Sequence, residues 1–324
     1  MRIYAFNGDA DGLCALVQLR LAEGDGLESP GDLLVTGVKR DIQLLARVQA
    51  KAGDDCTVLD VSLDSNREDL LRLLASGVRV RYFDHHFAGE IPHHPRLEAS
   101  IDAGREFCTS ILVDRALEGR HRRWAAVGAF GDHLTKQARQ LAESAGVKDT
   151  GVDELAHLGI VLNYNAYGES ISDLHAAPDM LAAEMLCYRD PLDFVHCSGW
   201  YSRLCRGYDD DMERARHVVP THAAPGAILV ELPDEAWARR TSGTLANGLA
   251  DAHPTSAIAI VSRRTDGYVV SLRVPSDSSI GADEFCRRFP TGGGRRAAAG
   301  INRLPSSHLA EFRHAFEAQF RLTD

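Results

Sequence analysis

The 324-residue sequence has few of the features that mark disulfide-rich, zinc-binding or membrane-spanning proteins. Its seven cysteines form no Cys-x-x-Cys pair, so neither a disulfide framework nor a structural zinc site is expected. No apolar run approaches the roughly 20 residues that a membrane helix needs. Met1 leads directly into the strand-like Arg2-Ile3-Tyr4-Ala5-Phe6 rather than into a signal peptide. We therefore expect a cytoplasmic protein without a membrane partner.

Positive charge is also scarce, since 36 Lys and Arg stand against 46 Asp and Glu, and the net charge is −10. This balance excludes a protein that coats duplex DNA through bulk electrostatic attraction. The acidic excess lies in residues 1–212, whereas the basic residues of 213–324 are all arginines. A content of 44% hydrophobic and 25% charged residues is typical of a globular protein. The length favours two domains.

The first part of the chain alternates short β-rich runs with amphipathic helical ones. The predicted strands are 3–6, 33–37, 57–59 and 78–83, and the predicted helices between them are 13–22, 42–50 and 67–75. This alternation indicates an α/β fold with a doubly wound, mostly parallel sheet. Residues 108–200 are predicted to be mostly helical, with helices at 109–117, 122–130 and 181–186.

The pattern changes after about residue 200, which indicates a second, smaller α/β domain. We place the first domain at 1–205, a linker at about 205–222 and the second domain at 222–324. The elements predicted for the second domain are strands at 227–232, 256–261 and 268–274 and helices at 242–251 and 307–321.

Acidic and imidazole side chains follow three of the predicted parallel strands. They are Asp9, Asp11, Asp60, Asp84, His85 and His86, and Asp132 follows an apolar helical run. A single Asp in such a place is often only a helix cap. Ligands of open parallel sheets bind beyond the carboxyl ends of the strands, however, so these groups should meet in one crevice. Crowded carboxylates need cations, and oxygen ligands with one or two imidazoles suit Mn²⁺ or Mg²⁺.

These motifs carry a resemblance to a known family. Asp9-Ala10-Asp11-Gly12, Asp60, Asp84-His85-His86 and Gly131-Asp132 resemble the ordered motifs of the DHH phosphoesterase superfamily. Thr291-Gly292-Gly293-Gly294-Arg295-Arg296-Ala297-Ala298-Ala299-Gly300 resembles the glycine-rich motif of its DHH-associated C-terminal domain. The resemblance covers essentially the whole chain and points to the RecJ-like and nanoRNase-like phosphodiesterases. It implies an active site in a cleft between two domains.

The resemblance also implies roles for the motif residues. Two Mn²⁺ ions are implied, with Mg²⁺ or Co²⁺ as substitutes. The implied ligands are Asp9 and Asp60 for one ion, and Asp11, Asp60, His85 and Asp132 for the other. Asp84 would orient the site, and His86 would face the substrate phosphate as a catalytic group.

The sequence departs from the family pattern at three positions. Ala5 stands where the pyrophosphatase and nanoRNase branches have His, and Asn7 stands where the RecJ-like branch has Asp. The Asn7 amide oxygen is a further metal ligand to consider. Arg295 follows the last glycine where many members have His, which leaves recognition of the leaving group or a terminal phosphate open.

Glycines and arginines of the second domain are candidates for binding the substrate. Backbone amides at glycines can approach an anion closely, and guanidinium groups bind phosphate with two donors. The candidates are Gly292, Gly293, Gly294, Arg295 and Arg296, together with Arg273, which the resemblance implies. Lys39 and Arg40 follow the second predicted strand, where solvated charges are at least as good an interpretation as phosphate ligands. Thr109-Ser110 is interpreted as a helix cap.

The predicted function is hydrolysis of short single-stranded oligonucleotides or linear dinucleotides to mononucleotides. The enzymatic alternatives are a cyclic-dinucleotide phosphodiesterase, a 3′-phosphoadenosine 5′-phosphate phosphatase and, less favoured, a pyrophosphatase. An alternative of a different class is a nucleotide sensor that binds without cleaving. A homodimer is compatible with the sequence, which does not determine the oligomeric state.

Overall fold

A computed structural model describes residues 1–24 and 31–321. The chain divides into two compact units, Met1–Gly207 and Tyr208–Asp324. The division falls inside a single helix, Gly199–Arg216. Within the described ranges, no helix is both long and apolar enough to cross a membrane.

The first unit is built on a parallel five-stranded sheet in the order β2-β1-β3-β4-β5. Its strands are β1 (Arg2–Phe6), β2 (Leu33–Val35), β3 (Asp55–Leu59), β4 (Arg79–Asp84) and β5 (Leu97–Ile101). Phe6 pairs with Leu59, and Leu59 pairs with Phe83, so β1, β3 and β4 end side by side. The predicted α/β class with a mostly parallel sheet is confirmed.

Helices cover the sheet and then form a helical cluster. They are α1 (Ala10–Ala22), α2 (Arg67–Ala75), α3 (Thr109–Ala116), α4 (Arg122–Gly131), α5 (Thr135–Ser144), α6 (Asp149–Asn165), α7 (Pro178–Met185), α8 (Pro191–Cys197) and α9 (Gly199–Arg216). Helix α1 is buried on every side from Ala10 to Arg20, because it packs against α3, α4, α6 and α7. This burial fixes the end of α1 that follows β1.

The predicted helix at 42–50 is wrong, since only a 3₁₀ turn forms there, at Leu44–Arg47. Side chains satisfy the backbone of this segment in place of a helical ladder. Asn66 accepts a hydrogen bond from the Leu45 N–H at 3.1 Å, and its Nδ2 donates to the Ile42 carbonyl at 2.7 Å. Arg72 Nη2 donates to the Leu45 carbonyl at 2.9 Å. Strand β5 was not predicted, whereas the prediction of a helix at 67–75 coincides with α2.

The second unit contains a six-stranded mixed sheet in the order β10-β11-β9-β8-β7-β6. Its strands are β6 (His222–Ala224), β7 (Ala227–Leu232), β8 (Ala257–Arg264), β9 (Gly267–Arg273), β10 (Gly292–Gly294) and β11 (Ala298–Leu304). Its further helices are α10 (Ala236–Ala252), α11 (Ala282–Cys286) and α12 (Leu309–Phe320). A cluster of aromatic rings, among them Phe285, Phe312 and Phe316, fills the core between the sheet, α11 and α12.

Candidate metal centre

The strand order brings three motif regions to one edge of the first sheet. Because β1, β3 and β4 are adjacent and parallel, their carboxyl ends lie next to each other. Asp9 lies just after β1, Asp60 directly follows β3, and Asp84 is the last residue of β4. The edge therefore gathers groups that are far apart in the sequence.

Asp9 and Asp11 are fixed at the start of α1 by backbone hydrogen bonds. Asp9 is the N-cap, and its Oδ1 accepts from the N–H groups of Asp11 and Gly12 at 3.0 and 3.1 Å. The Asp11 carboxylate binds the start of α3, accepting from the N–H groups of Thr109 and Ser110 at 2.7 Å each. Both carboxylates are buried. Their positions are thus set by helix ends rather than by free rotation.

Asp60 adopts a left-handed backbone conformation, with φ of +58°. This conformation is uncommon for a residue other than glycine, but Asp tolerates it better than most. The Asp60 Oδ1 accepts a hydrogen bond from Thr109 Oγ1 at 3.1 Å and lies 3.2 Å from His85 Nε2. Burial, together with the nearby charges of Asp9 and Asp11, raises the pKa of Asp60 well above its ordinary value.

His85 is oriented by a backbone carbonyl. Its Nδ1 lies 3.1 Å from the Phe107 oxygen, so an N–H at this position leaves Nε2 as the lone-pair nitrogen. Nε2 faces Asp60 and lies 3.9 Å from Asp11 Oδ2, while Nδ1 lies 3.9 Å from Asp132 Oδ2. Asp132 directly follows the end of α4. This orientation is the one that a metal-binding imidazole requires.

Beside this imidazole, the buried Asp84 is bonded to the partly exposed His86. The fully buried Asp84 accepts from the His85 N–H at 2.9 Å, and its Oδ1 lies 2.7 Å from His86 Nδ1. Burial opposes ionisation of Asp84, but its hydrogen bond to His86 and the nearby charges of His86 and His85 together outweigh burial and lower the pKa of Asp84. Burial likewise opposes protonation of His86, yet Asp84 raises the pKa of His86. The His86 side chain is 44% exposed, which leaves it accessible to a ligand.

Lys39 forms an ion pair with Asp9 of the candidate metal centre, a contact that the sequence did not predict. Its ammonium forms an ion pair with Asp9 Oδ2, donates to Asn163 Oδ1 at 3.0 Å and lies 5.6 Å from the centre of the Tyr167 ring. Burial opposes ionisation of Asp9, but the charge and hydrogen bond of Lys39, together with the Gly12 N–H, outweigh burial and lower the pKa of Asp9. Asn7 accepts from the Asp9 N–H at 3.3 Å and donates to the Lys39 carbonyl at 3.4 Å.

The donor set fits a divalent cation. Asp60, His85 and His86 each offer a ligand atom within 4.8 Å of the other two. The carboxylates of Asp9 and Asp11 add negative charge around the Asp60 carboxyl. Within the part of the chain that the structure describes, the buried Asp84 Oδ2 has no hydrogen-bond donor. Oxygen and imidazole ligands without thiolates favour Mn²⁺ or Mg²⁺ over a thiolate-bound metal.

The glycine-rich motif of the second unit is a short strand and its turn. The three glycines form β10, which pairs with β11, and Arg295 and Arg296 follow in the connecting turn. Arg273 ends β9 and pairs with Ala298 at the start of β11, so it lies at the same end of the sheet as this turn. Arg273 Nε donates to Asn247 Oδ1 at 2.8 Å, and Arg296 Nη2 donates to the Ser278 carbonyl at 2.8 Å.

Four residues near the centre were missed or undervalued by the sequence interpretation. Lys39 was interpreted as a solvated charge or a phosphate ligand and Thr109 as a helix cap, and Asn163 and Phe87 were not considered. Phe87 follows the two histidines directly and is 74% exposed. Its loop is pinned by Arg67, which donates to the carbonyls of Ala88 and Glu90, each at 2.5 Å. Adjacency to Asp84-His85-His86 was the one sequence signal for Phe87.

No family model and no curated protein matches this sequence. Among solved structures, the chain is similar to RecJ from Thermus thermophilus in complex with Mn²⁺, with a TM-score of 0.65 and 20% identity. That match covers 98% of this chain but 51% of that RecJ, so the chain spans about half its length. The chain is also similar to the DHH domain of a protein described as a member of a family of ribosomal proteins, with a TM-score of 0.65 and 15% identity. That match covers 99% of this chain and 87% of the other.

The pGpG-specific phosphodiesterase PggH from Vibrio cholerae gives a TM-score of 0.53 and 14% identity, and the match covers 98% of each chain. The chain has the DHH fold. The four regions that resemble DHH motifs fall after β1, after β3, at the end of β4 and after α4. The DHH fold thus places the predicted metal ligands around one edge of the sheet.

Proposed function

We propose that this chain is a Mn²⁺-dependent phosphodiesterase that hydrolyses short oligonucleotides or linear dinucleotides to mononucleotides. The observation that carries the proposal is the geometry around Asp60. Its carboxylate lies at hydrogen-bond distance from the His85 imidazole, buried beside Asp9 and Asp11, in a DHH fold. Such a group of oxygens and an imidazole is suited to a divalent cation that acts on a phosphate.

We assign Asp11, Asp60, His85 and Asp132 to the divalent ion, with Mg²⁺ or Co²⁺ as substitutes for Mn²⁺. When bound, the ion supplies an activated water and neutralises charge on the phosphate. The chain's own groups do the remaining work. His86 is partly exposed and bonded to Asp84, so it is suited to donate a proton to the leaving oxygen.

A substrate that carries a nucleobase is supported by Phe87. An aromatic ring that is 74% exposed and held on a pinned loop beside the two histidines offers a surface on which a base can stack. The activities named for two neighbours in fold agree with a nucleotide substrate, since one is described as the exonuclease RecJ and the other as a pGpG-specific phosphodiesterase. Inorganic pyrophosphate would make no use of such a ring.

Substrate phosphates are also proposed to bind the second unit. The turn that carries Arg295 and Arg296 and the end of β9 that carries Arg273 lie at one end of its sheet. Forked guanidinium donors and the backbone amides of β10 suit a terminal phosphate.

The test is a Mn²⁺ assay with labelled RNAs of two to twelve nucleotides, cyclic dinucleotides, 3′-phosphoadenosine 5′-phosphate and pyrophosphate. We expect the shortest linear RNAs to be cleaved fastest. Asp60→Asn should abolish turnover, because Asn tolerates the positive φ but lacks the charge that holds the ion. Asp153→Asn, which changes an exposed carboxylate on α6, is the matched control and should retain activity.

Other outcomes of this assay would contradict the proposal. Preference for a cyclic dinucleotide or for 3′-phosphoadenosine 5′-phosphate would show that this compound, and not a short linear RNA, is the substrate. Tight binding of a dinucleotide without any product, in a chain shown to hold Mn²⁺, would identify a nucleotide sensor instead. Full activity of Asp60→Asn would show that the metal site is misplaced.

A further inference from the structure

The side chain of Lys39 occupies the Asp9 side of the metal centre. Its ammonium is paired with Asp9 Oδ2 and donates to Asn163 Oδ1 at 3.0 Å. The Tyr167 ring lies 5.6 Å away, within the range of a cation–π contact. Only a quarter of the Lys39 side chain is exposed. A carboxylate from the start of α1, and an amide and an aromatic ring from the end of α6 and just beyond it, thus surround one cation.

The backbone around Lys39 is also held in place. Its N–H donates to the Ala166 carbonyl at 2.9 Å, just beyond the end of α6. Its carbonyl accepts from Asn7 Nδ2 at 3.4 Å. The buried Asn163 lies on the last turn of the same helix, so α6 positions both the backbone and the ammonium of Lys39. The ammonium is therefore a fixed part of the centre and not a surface charge that happens to reach it.

Asp9 is already neutralised by the chain itself. Its Oδ1 accepts two backbone N–H groups, and its Oδ2 takes the Lys39 ammonium. Asn7 adds no charge on this side, because its amide bridges the Asp9 N–H and the Lys39 carbonyl. A divalent ion bound at Asp9 would lie beside the ammonium and would be repelled by it. The Asp60 side differs, because the lone-pair nitrogen of His85 faces Asp60 there.

We propose that the Lys39 ammonium takes the place of one metal ion, so that this centre binds one divalent cation rather than the two that the family resemblance implies. The proposal rests on the proposed metal-dependent function. The single ion lies with Asp60 and His85, and Lys39 supplies the positive charge at Asp9. The resident ammonium cannot be removed by a chelator, so part of the positive charge of the site is permanent.

The test counts Mn²⁺ ions by calorimetric titration and records the EPR spectrum of the loaded protein. We expect the wild-type chain to bind one Mn²⁺ per chain with the spectrum of an isolated ion. Lys39→Arg keeps the charge and should also bind one. Lys39→Met combined with Asn7→Asp removes the ammonium and adds a carboxylate, and should bind two with a spin-coupled spectrum. Lys51→Met, at an exposed lysine, is the control and should bind one.

Two Mn²⁺ per wild-type chain would overturn the proposal. A single Mn²⁺ in the folded double variant would overturn it as well, since Lys39 would then not determine the count. If the double variant does not fold, the wild-type count and spectrum still decide. Hydrolysis is measured separately: a chain that binds one Mn²⁺ but cleaves no nucleotide would refute the proposed function and leave the ion count standing.

Discussion

At the scale of single residues, Phe87 is the side chain that favours a substrate with a nucleobase. Large apolar side chains on a protein surface are common and need no explanation when they are scattered. Phe87 differs because it follows His86 directly and because Arg67 pins the carbonyls of the residues after it. Phe87 is thus an exposed aromatic residue in a segment that hydrogen bonds hold directly after the two histidines.

Phe87→Ala should weaken binding of a dinucleotide substrate. Stacking of a base on an aromatic ring contributes about 1–3 kcal/mol, so KM should rise by a factor of about 5 to 150 while kcat changes little. Phe87→Trp should retain the affinity, and its fluorescence should change when a dinucleotide is added without metal. Equal kinetics of the Ala variant and the wild type would show that Phe87 is not a stacking surface. Exposed Phe87 is matched by exposed Met180, and Met180→Ala serves as the control.

At the scale of elements, two neighbouring glycines of β10, in its hairpin with β11, differ in the space around them. A Cβ on Gly292 would lie 1.8 Å from the Cys286 carbonyl oxygen, so only glycine fits there. A Cβ on Gly293 would meet nothing within 4 Å. One glycine of the motif is thus required by the fold, and its neighbour is not.

Gly293→Ala should leave the melting temperature unchanged and raise KM, if substrate phosphate approaches this strand. Gly292→Ala is the matched comparison and should lower the melting temperature, because a backbone clash cannot be relieved by a rotamer change. Thermal unfolding and steady-state kinetics on the best dinucleotide measure both effects. Unchanged KM in a folded Gly293→Ala variant would show that β10 is not part of the substrate site.

Arg273→Ala should also raise KM more than it lowers kcat, if Arg273 contributes to uniform binding of the substrate.

At the scale of the whole molecule, the structure shows where part of the net negative charge lies. The net charge of −10 excludes a protein that coats duplex DNA through bulk electrostatic attraction. A part of the acidic excess is the buried group of Asp9, Asp11, Asp60 and Asp84. A bound divalent ion and Lys39 would counter the negative potential of this group where a phosphate has to bind. The acidity of the chain is therefore compatible with a small anionic substrate.

The stability of the whole molecule should depend on pH through His121, which is buried just before α4, far along that helix from Asp132. Burial lowers the pKa of His121, and Arg120 and Arg189 lower it further. The unfolded chain therefore takes up a proton at higher pH than the folded chain does. The stability that this residue contributes is present above its unfolded pKa of about 6.5 and is lost as pH falls through the folded value.

Urea unfolding at about pH 8 and about pH 5.5 tests this, with His121→Gln as the reference. The wild-type free energy of unfolding should fall relative to that of the variant on acidification, because only the wild type carries the titrating group. Parallel changes in the two proteins would show that His121 does not contribute. His93→Gln, at an exposed histidine in a loop, is the control and should behave like the wild type.

The sequence by itself determined the α/β class and the positions of the acidic groups after the strands, because strand-forming runs and the residues that follow them are local features. Strand-forming runs that end in Asp9, Asp60 or Asp84 are visible as patterns, and parallel strands must deliver their carboxyl ends to one edge. The conformation of 42–50 was beyond such patterns, because side chains of Asn66 and Arg72 satisfy its backbone from elsewhere in the chain.

Only the tertiary structure decided what surrounds those groups. Lys39 reaches Asp9 because α6, more than a hundred positions further on, presents Asn163 and the Ala166 carbonyl to it. Thr109 serves Asp11 and Asp60 because α3 begins against α1. Neither contact can be predicted from hydrophobic periodicity or from the spacing of residues, because each depends on how elements distant in the sequence pack together. The sequence indicates which residues are candidates for binding a cation, and the packing shows that one of them, Asp9, is paired with the Lys39 ammonium.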